Sequence, residues 1–331
     1  MKKFSILAWF LVMSLAVFSC SDDDEDEPNV VVPDPTAFTV KSFVTSGLSH
    51  PLGGDLDSKG NLWVSDAGTG KDDATVVMIN EAGKITKALE GLPSVLMNGA
   101  FEGISHVLVH KNKLYVMHGI SGKLYIADVT NFTSTSSPLD TTKVEKVDIK
   151  TYVNSQNLVN PLNSNAYALA IGPDDDLFLT EAGSNAVIRR KSNGALSVFA
   201  KFDKLPNGAE AVPTGIVWTG KEFYVSTLSG FPFAAQAAVI YKITEAGAVS
   251  VHKSGFSLLS SLELTANGKL LATQLGVFGA TGFGEAEGKV VDEAGNVLAS
   301  GFGMPTDIVK KSDREFYLLN YLNGKIDLLA Y

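Results

Sequence analysis

The sequence predicts an all-β fold, a six-bladed β-propeller with four-stranded blades closed by an N-terminal strand, and three observations predict it. Short apolar strands recur at the period of one blade. The turns between them repeat in kind, and a spare strand near the N-terminus complements a last blade that is one strand short.

The clearest strands are segments 61–65, 113–117, 176–180, 222–226, 269–273 and 315–319. Their central residues, Trp63, Tyr115, Phe178, Tyr224, Leu271 and Tyr317, lie between 46 and 63 residues apart. Each strand follows a turn rich in Gly, Asp, Asn or Lys, such as 57–60 or 172–175. Another strand precedes that turn (213–218, 305–309), and a third follows the marker strand (186–189, 239–243). A fourth begins after a second recurring turn, at 81–83, 192–194, 245–247 and 293–295, each ending in glycine. Tight hairpins need positive φ, which glycine adopts at little cost. Closing the ring removes exposed sheet edges, and segment 38–43 is placed to be the outer strand of the last blade, beside 325–331. Stretch 130–162 reads as the one long insertion, with Ser/Thr-rich 133–137 as a mobile part.

Ahead of the propeller, Lys2 and Lys3 precede an apolar run from Phe4 to Phe18, then Ser19, Cys20 and six acids within 22–27. A basic start, a short apolar stretch and a small residue before the cut describe a secretory signal. The run is shorter than the roughly 20 residues that span a bilayer. Cys20 is the single cysteine of the chain, so it has no disulfide partner and is placed for lipid attachment. Residues 17–20 resemble a loose bacterial lipobox, and the acidic run resembles the export tag of some surface lipoproteins. The competing reading is a secreted protein with a solvated acidic leader. The expected organisation is a lipoprotein signal peptide over 1–19, a lipidated Cys20 with an acidic, Pro-containing tether over 20–37, and the propeller over 38–331.

The formal charge is −9, and Lys2, Lys3 and the six acids account for −4 of it. A mildly acidic body with no basic stripe argues against nucleic acid as a partner. Its contact with a membrane is expected only through the lipid anchor. A body without cysteine is held by packing rather than disulfides, which about 295 residues suffice to do.

Segments 163–169 and 177–185, the block from 212–215 to 226–233, and 147–152 resemble the repeat of ScyD/ScyE-type proteins, propellers related to NHL repeats. The likeness covers most of 45–325 and is weakest in blade five, where no proline precedes Ser260. The resemblance implies the fold and an accessory part in secondary-metabolite handling. It implies no catalytic residues.

In a propeller, residues just before each first strand and just after each second strand meet around the channel mouth. The first set is Glu102, His106, Asn165, Thr214 and Asp307; the second is Asp66, His118, Glu181, Gln274 and Asn320. Polar groups converging on one rim are a candidate ligand-binding site, joined by Phe231 and Phe233 of the loop after the second strand of blade four. Those rings either protrude or tuck under to close the channel. Each polar residue also has a structural reading. Asp66 and Glu181 precede Ala-Gly and are placed to cap turns. His106 sits in an apolar context, His118 ends a strand facing solvent, and Asp307 can bind a neighbouring blade's backbone.

Calcium-dependent propeller lactonases of the gluconolactonase and paraoxonase kind hold an ion with acids and amides from several blades, and oxygen donors suit Ca²⁺. Glu102, Asn165 and Asp307 are the candidate metal ligands. Against this, the third position of the inner strands reads Gly53, His106, Ala168, Gly215, Leu262 and Asp307, of which two can bind a cation. The sequence shows neither a zinc spacing, nor a nucleophile elbow, nor a phosphate loop.

The expected function is therefore an outer-membrane, surface-displayed lipoprotein whose propeller binds a small molecule, glycan or protein. The alternatives are a Ca²⁺-dependent lactonase and an accessory protein in secondary-metabolite handling. The closure scheme makes a direct prediction. Deleting 38–43 should abolish cooperative thermal unfolding, and an unchanged melting temperature would refute it.

Overall fold

The computed structural model describes residues 32–97, 99–279, 282–283 and 287–331. The segment expected to be a signal peptide, Cys20 and the first part of the expected tether lie outside them. The described residues hold six antiparallel four-stranded sheets arranged in a ring, a six-bladed β-propeller.

The inner strands are Pro51–Leu56, Ile104–His110, Ala166–Ile171, Pro213–Trp218, Leu259–Leu264 and Pro305–Lys310. Each pairs with a second strand: Leu62–Asp66, Lys113–His118, Leu177–Glu181, Glu222–Thr227, Leu270–Gln274 and Glu315–Asn320. The ring closes as the sequence predicts. Thr39–Val44 lies antiparallel to Lys325–Ala330 as the outer strand of blade six. Phe38 extends the seam, its ring edge-on to Phe316 and Tyr331 at 5.7 Å each.

The stretch read as an insertion contains an element of the fold. Glu145–Asp148 is the outer strand of blade two, and helix Ile149–Ser155 follows it, capped by Asp148 accepting from the Thr151 amide. The Ser/Thr-rich part is fastened to blade one: the Ser134 carbonyl accepts from Lys84 Nζ at 2.9 Å and Thr86 Oγ1 at 3.3 Å.

Strand alternation explains the marker residues. In a second strand, successive side chains point to opposite faces, and both faces here are covered by other blades. Leu62 and Val64 pack against blade six while Trp63 packs against blade two. Leu177 and Leu179 face blade two while Phe178 faces blade four. Phe316 and Leu318 face blade five while Tyr317 faces blade one. Every marker residue thus points at the following blade. The buried apolar side chains fall into one cluster per blade junction.

Near the axis the junctions are polar. Each inner strand bulges at its start, so that its second and third residues share one opposing residue on the second strand. A buried hydroxyl then crosses each junction to a carbonyl of the next blade. Ser105 Oγ donates to Ala166 O (3.2 Å), Thr214 Oγ1 to Leu259 O (2.9 Å), Ser260 Oγ to Pro305 O (2.8 Å) and Thr306 Oγ1 to Pro51 O (3.0 Å). In those four blades the donor is the second residue of the inner strand. Blades one and three carry Leu52 and Tyr167 there, and the second strand supplies the hydroxyl instead. Ser65 Oγ donates to Ser105 O (2.5 Å) and Thr180 Oγ1 to Thr214 O (2.7 Å). The belt is complete around the ring.

The substitution Thr306→Val keeps the shape and leaves Pro51 O without its donor at the junction that closes the ring. A buried acceptor left unpaired costs about 1–3 kcal/mol, so urea denaturation should show a loss of that size. A change within experimental error would mean that the belt contributes nothing to stability.

Candidate functional site

First strands begin and second strands end on the same face, which is where the channel opens into a cavity of about 280 Å³. Its walls are predominantly apolar. Leu52, Ile104, Ile120, Leu228, Leu275 and Met304 line it together with the rings of Phe101, Tyr167, Phe233 and Tyr321. Two structures shape the mouth. The first is a hairpin between blades one and two, Val95–Met97 paired with Ala100–Glu102. Gly103 ends it at φ 156°, where a Cβ would lie 2.4 Å from Pro93 O. Tyr321, just past the second strand of blade six, clamps this hairpin: its hydroxyl accepts from Phe101 N at 2.6 Å and donates to Phe101 O at 3.2 Å. His50 packs against both rings in tilted contacts, at 4.3 Å and 4.8 Å between centroids.

The second structure is the loop 229–233. Its two rings part company: Phe231 stands 77 % exposed, while Phe233 turns inward, lines the cavity and meets Phe278 edge-on at 4.9 Å. Val95, Leu96, Met97, Val277 and Leu322 are exposed on the same face, so an apolar collar surrounds an apolar cavity. The backbone is strained there as well. Val212, Leu258 and Met304, each just before an inner strand, hold φ of 54°, 51° and 54°. Non-glycine residues rarely occupy that region, and β-branched ones least of all.

Most of the polar residues expected at the rim are consumed by structure. Asp66 accepts from Ser49 N and His50 N, both at 2.7 Å, and from Gly68 N at 3.1 Å. Glu181 is fully buried, accepts from the Ser184 amide and hydroxyl at 2.7 and 2.6 Å, and is pushed above the usual carboxylate range by burial. His118 does not face solvent as expected. It is fully buried, with Nε2 2.8 Å from Pro93 O and Nδ1 accepting from Ser121 N, because the connection before blade two folds over it. Thr214 belongs to the belt. Asn320 is buried and donates to Asp327 at 3.0 Å; Gln274 accepts from Ser257 N at 2.9 Å. Glu102 and Asn165 do line the mouth, as does Phe233, while Phe231 stands above it.

His106 and Asp307 lie deeper, in a second cavity of about 110 Å³ further along the channel. Asp307 accepts from Ser261 Oγ (2.5 Å), Ile308 N (3.0 Å) and, across the blade junction, Gly54 N (2.8 Å). Ser261, not Leu262, holds the third position of blade five. The strand starts at Leu259, and without a proline to mark that start the sequence register slips by one residue. Two acids that the sequence reading passed over join this level. Asp55 accepts from Val109 N of blade two at 2.7 Å, and Glu263 from Lys310 N of blade six at 3.1 Å. Both stand two residues past the third position, so strand alternation was the available signal. Burial raises Asp55 and Asp307 to about 7 and raises Glu263 as well. His106 packs over Gly53, where a Cβ would lie 2.4 Å from its ring, and its ring meets that of Tyr167 at a tilt of 58°, 4.5 Å between centroids. Its Nε2 lies 3.8 Å from Asp307 Oδ2, beyond hydrogen-bond reach. Neither ring nitrogen makes a hydrogen bond among the described residues, and burial lowers the imidazole to about 3.

This arrangement does not fit the expected calcium ligand set. Glu102 and Asn165 line the mouth, Asp307 lines the deeper cavity, and the Asp307 oxygens already accept three hydrogen bonds. Among the described residues no group of three His, Cys, Asp or Glu is placed to hold a metal ion.

No family model matches the chain, and no curated protein does. Solved structures match its fold. A gluconolactonase from Xanthomonas campestris is 12 % identical with a TM-score of 0.57, over 89 % of this chain and 90 % of the other. Inactive virginiamycin B lyase from Staphylococcus aureus, solved with Quinupristin, is 13 % identical with a TM-score of 0.54, over 89 % and 99 %. A protein of unknown function from Bacteroides thetaiotaomicron is 12 % identical with a TM-score of 0.57, over 88 % and 72 %. Identities this low establish a shared propeller fold and nothing of the chemistry.

The buried carboxyls give stability a pH dependence with a definite sign. Asp307, raised from 3.8 to about 7, favours the folded state fully below 3.8, and that contribution is lost as pH rises through about 7. His106, lowered from 6.5 to about 3, acts oppositely: its contribution is present above 6.5 and lost as pH falls toward 3. Comparing Asp307→Asn with the parent isolates the carboxyl. Relative to the parent, the variant should gain stability in urea denaturation as pH rises from 5 to 8. A difference independent of pH would overturn the assignment.

Proposed function

We propose that the propeller is a binding module whose mouth takes a small, predominantly apolar molecule, carried on a lipid-tethered chain at the outer-membrane surface. The observation that carries the proposal is the cavity of about 280 Å³ with apolar and aromatic walls, set inside a collar of exposed apolar side chains. Ligand pockets combine apolar walls with a few polar groups, and exposed apolar patches mark contact surfaces. A glycan is a poorer match to such walls. The leader with Cys20 and its acidic run supports the tether and the outward display. The resemblance to ScyD/ScyE-type propellers supports an accessory role in secondary-metabolite handling, which the same cavity would serve.

A hydrolase is the second reading. The gluconolactonase likeness favours it, as does Glu102, a carboxyl raised by burial at the edge of the cavity and so suited to proton transfer. The dispersed Glu102, Asn165 and Asp307 count against its calcium-dependent form.

Fluorescence of the apolar probe N-phenyl-1-naphthylamine tests the binding module, with melting in Ca²⁺ and then chelator in parallel. Probe emission should rise with the parent and not with Ala182→Phe, which plugs the mouth. A ligand of the native state at a hundredfold excess over its dissociation constant adds roughly 2.7 kcal/mol of stability. A melting shift of that size with Ca²⁺, reversed by chelator and without probe binding, would replace the module by the hydrolase.

A further inference from the structure

The polar content of the mouth narrows the class of molecule it takes, an inference that rests on the cavity reading above. Among the described residues lining the cavity, Glu102 alone carries a charge. The acids nearby are engaged: Asp66 by three backbone amides, and Glu210 by Lys204 at 2.8 Å and Asn185 at 2.5 Å. Glu181 is engaged through one oxygen by Ser184, its other oxygen being buried outside the cavity lining. Glu102 has no hydrogen-bond or ion-pair partner among the described residues, and burial pushes its carboxyl above the usual range. Among the described residues no Lys, Arg or His lines the cavity to answer it. Phe101, Tyr167, Phe233 and Tyr321 contribute aromatic surface around the same space.

We infer that the mouth selects organic ammonium compounds, molecules with one positive charge on an aromatic or aliphatic body, and that Glu102 is their counter-ion. Ring faces attract a cation through their quadrupole, and a half-buried carboxylate without a partner is relieved by one. A neutral ligand would leave Glu102 unanswered. An anion would meet like charge between low-dielectric walls, where repulsion is least screened. The apolar body accounts for the walls, and the single charge accounts for Glu102.

A matched series tests this with the purified protein: 4-phenylbutylammonium, 4-phenylbutanol and 4-phenylbutyrate share one body and differ in the head. Titration calorimetry at pH 8 should show the ammonium binding about tenfold tighter than the alcohol, the size expected of one partly shielded cation contact. The carboxylate should bind weakest. In Glu102→Gln the ratio between ammonium and alcohol should fall most of the way towards one, leaving only what the rings contribute, and Glu102→Asp should retain a larger part of the preference. Equal affinity of all three heads in the parent would overturn the charge selection while leaving the cavity as an apolar site. Binding of none of them would overturn the cavity reading, and this inference with it.

Discussion

The architecture depends on how neighbouring blades are joined at the axis. There the inner strands of neighbouring blades lie side by side, and their buried carbonyls still need donors. A hydroxyl crossing every junction meets that requirement, and the bulge at the start of each inner strand aims it. The exceptions explain the mouth. Because Ser65 and Thr180 supply the donor from the second strand in blades one and three, the position is released to Leu52 and Tyr167. Both line the cavity. The belt therefore sets where the ring can be lined with apolar and aromatic surface.

Further along the channel, acids take over the same bridging task. Asp55, Glu263 and Asp307 each hold a backbone amide of the following blade. A carboxyl reaches farther than a hydroxyl and accepts more bonds, but burial penalises its charge and raises all three. What looks like a catalytic or metal-binding collection of acids is in the first instance bracing. His106, whose Nε2 lies 3.8 Å from Asp307 Oδ2 without a hydrogen bond to it, is the one group at this level that no hydrogen bond explains among the described residues.

The fold was legible because the signals that make it are local. Trp63, Phe178 and Tyr317 recur since each must fill the junction with the next blade, and the glycine turns recur since each hairpin needs positive φ. The site was legible only in part. Glu102, Asn165 and Phe233 reach the mouth as strand direction implies, whereas His118 and Glu181 stand at equivalent positions and are buried, His118 under the connection before blade two and Glu181 in its own turn. Strand ends show where a residue arrives, not whether a turn engages its side chain. The bulges leave no mark in composition, so blade five slipped by one residue. The hairpin at 95–102 belongs to no repeat, and its role is set by Tyr321, a residue 220 positions away.

That last contact links distant parts of the chain. Tyr321 belongs to the blade that joins the two ends of the propeller, and through Phe101 it holds down the hairpin over the mouth. The seam and the lip therefore share a fastening. An opening of the closing blade that moves Tyr321 would release the lip before any other blade is disturbed. The Phe101 amide then works as a remote reporter, its hydrogen-exchange rate recording how often a junction formed elsewhere in the sequence comes apart.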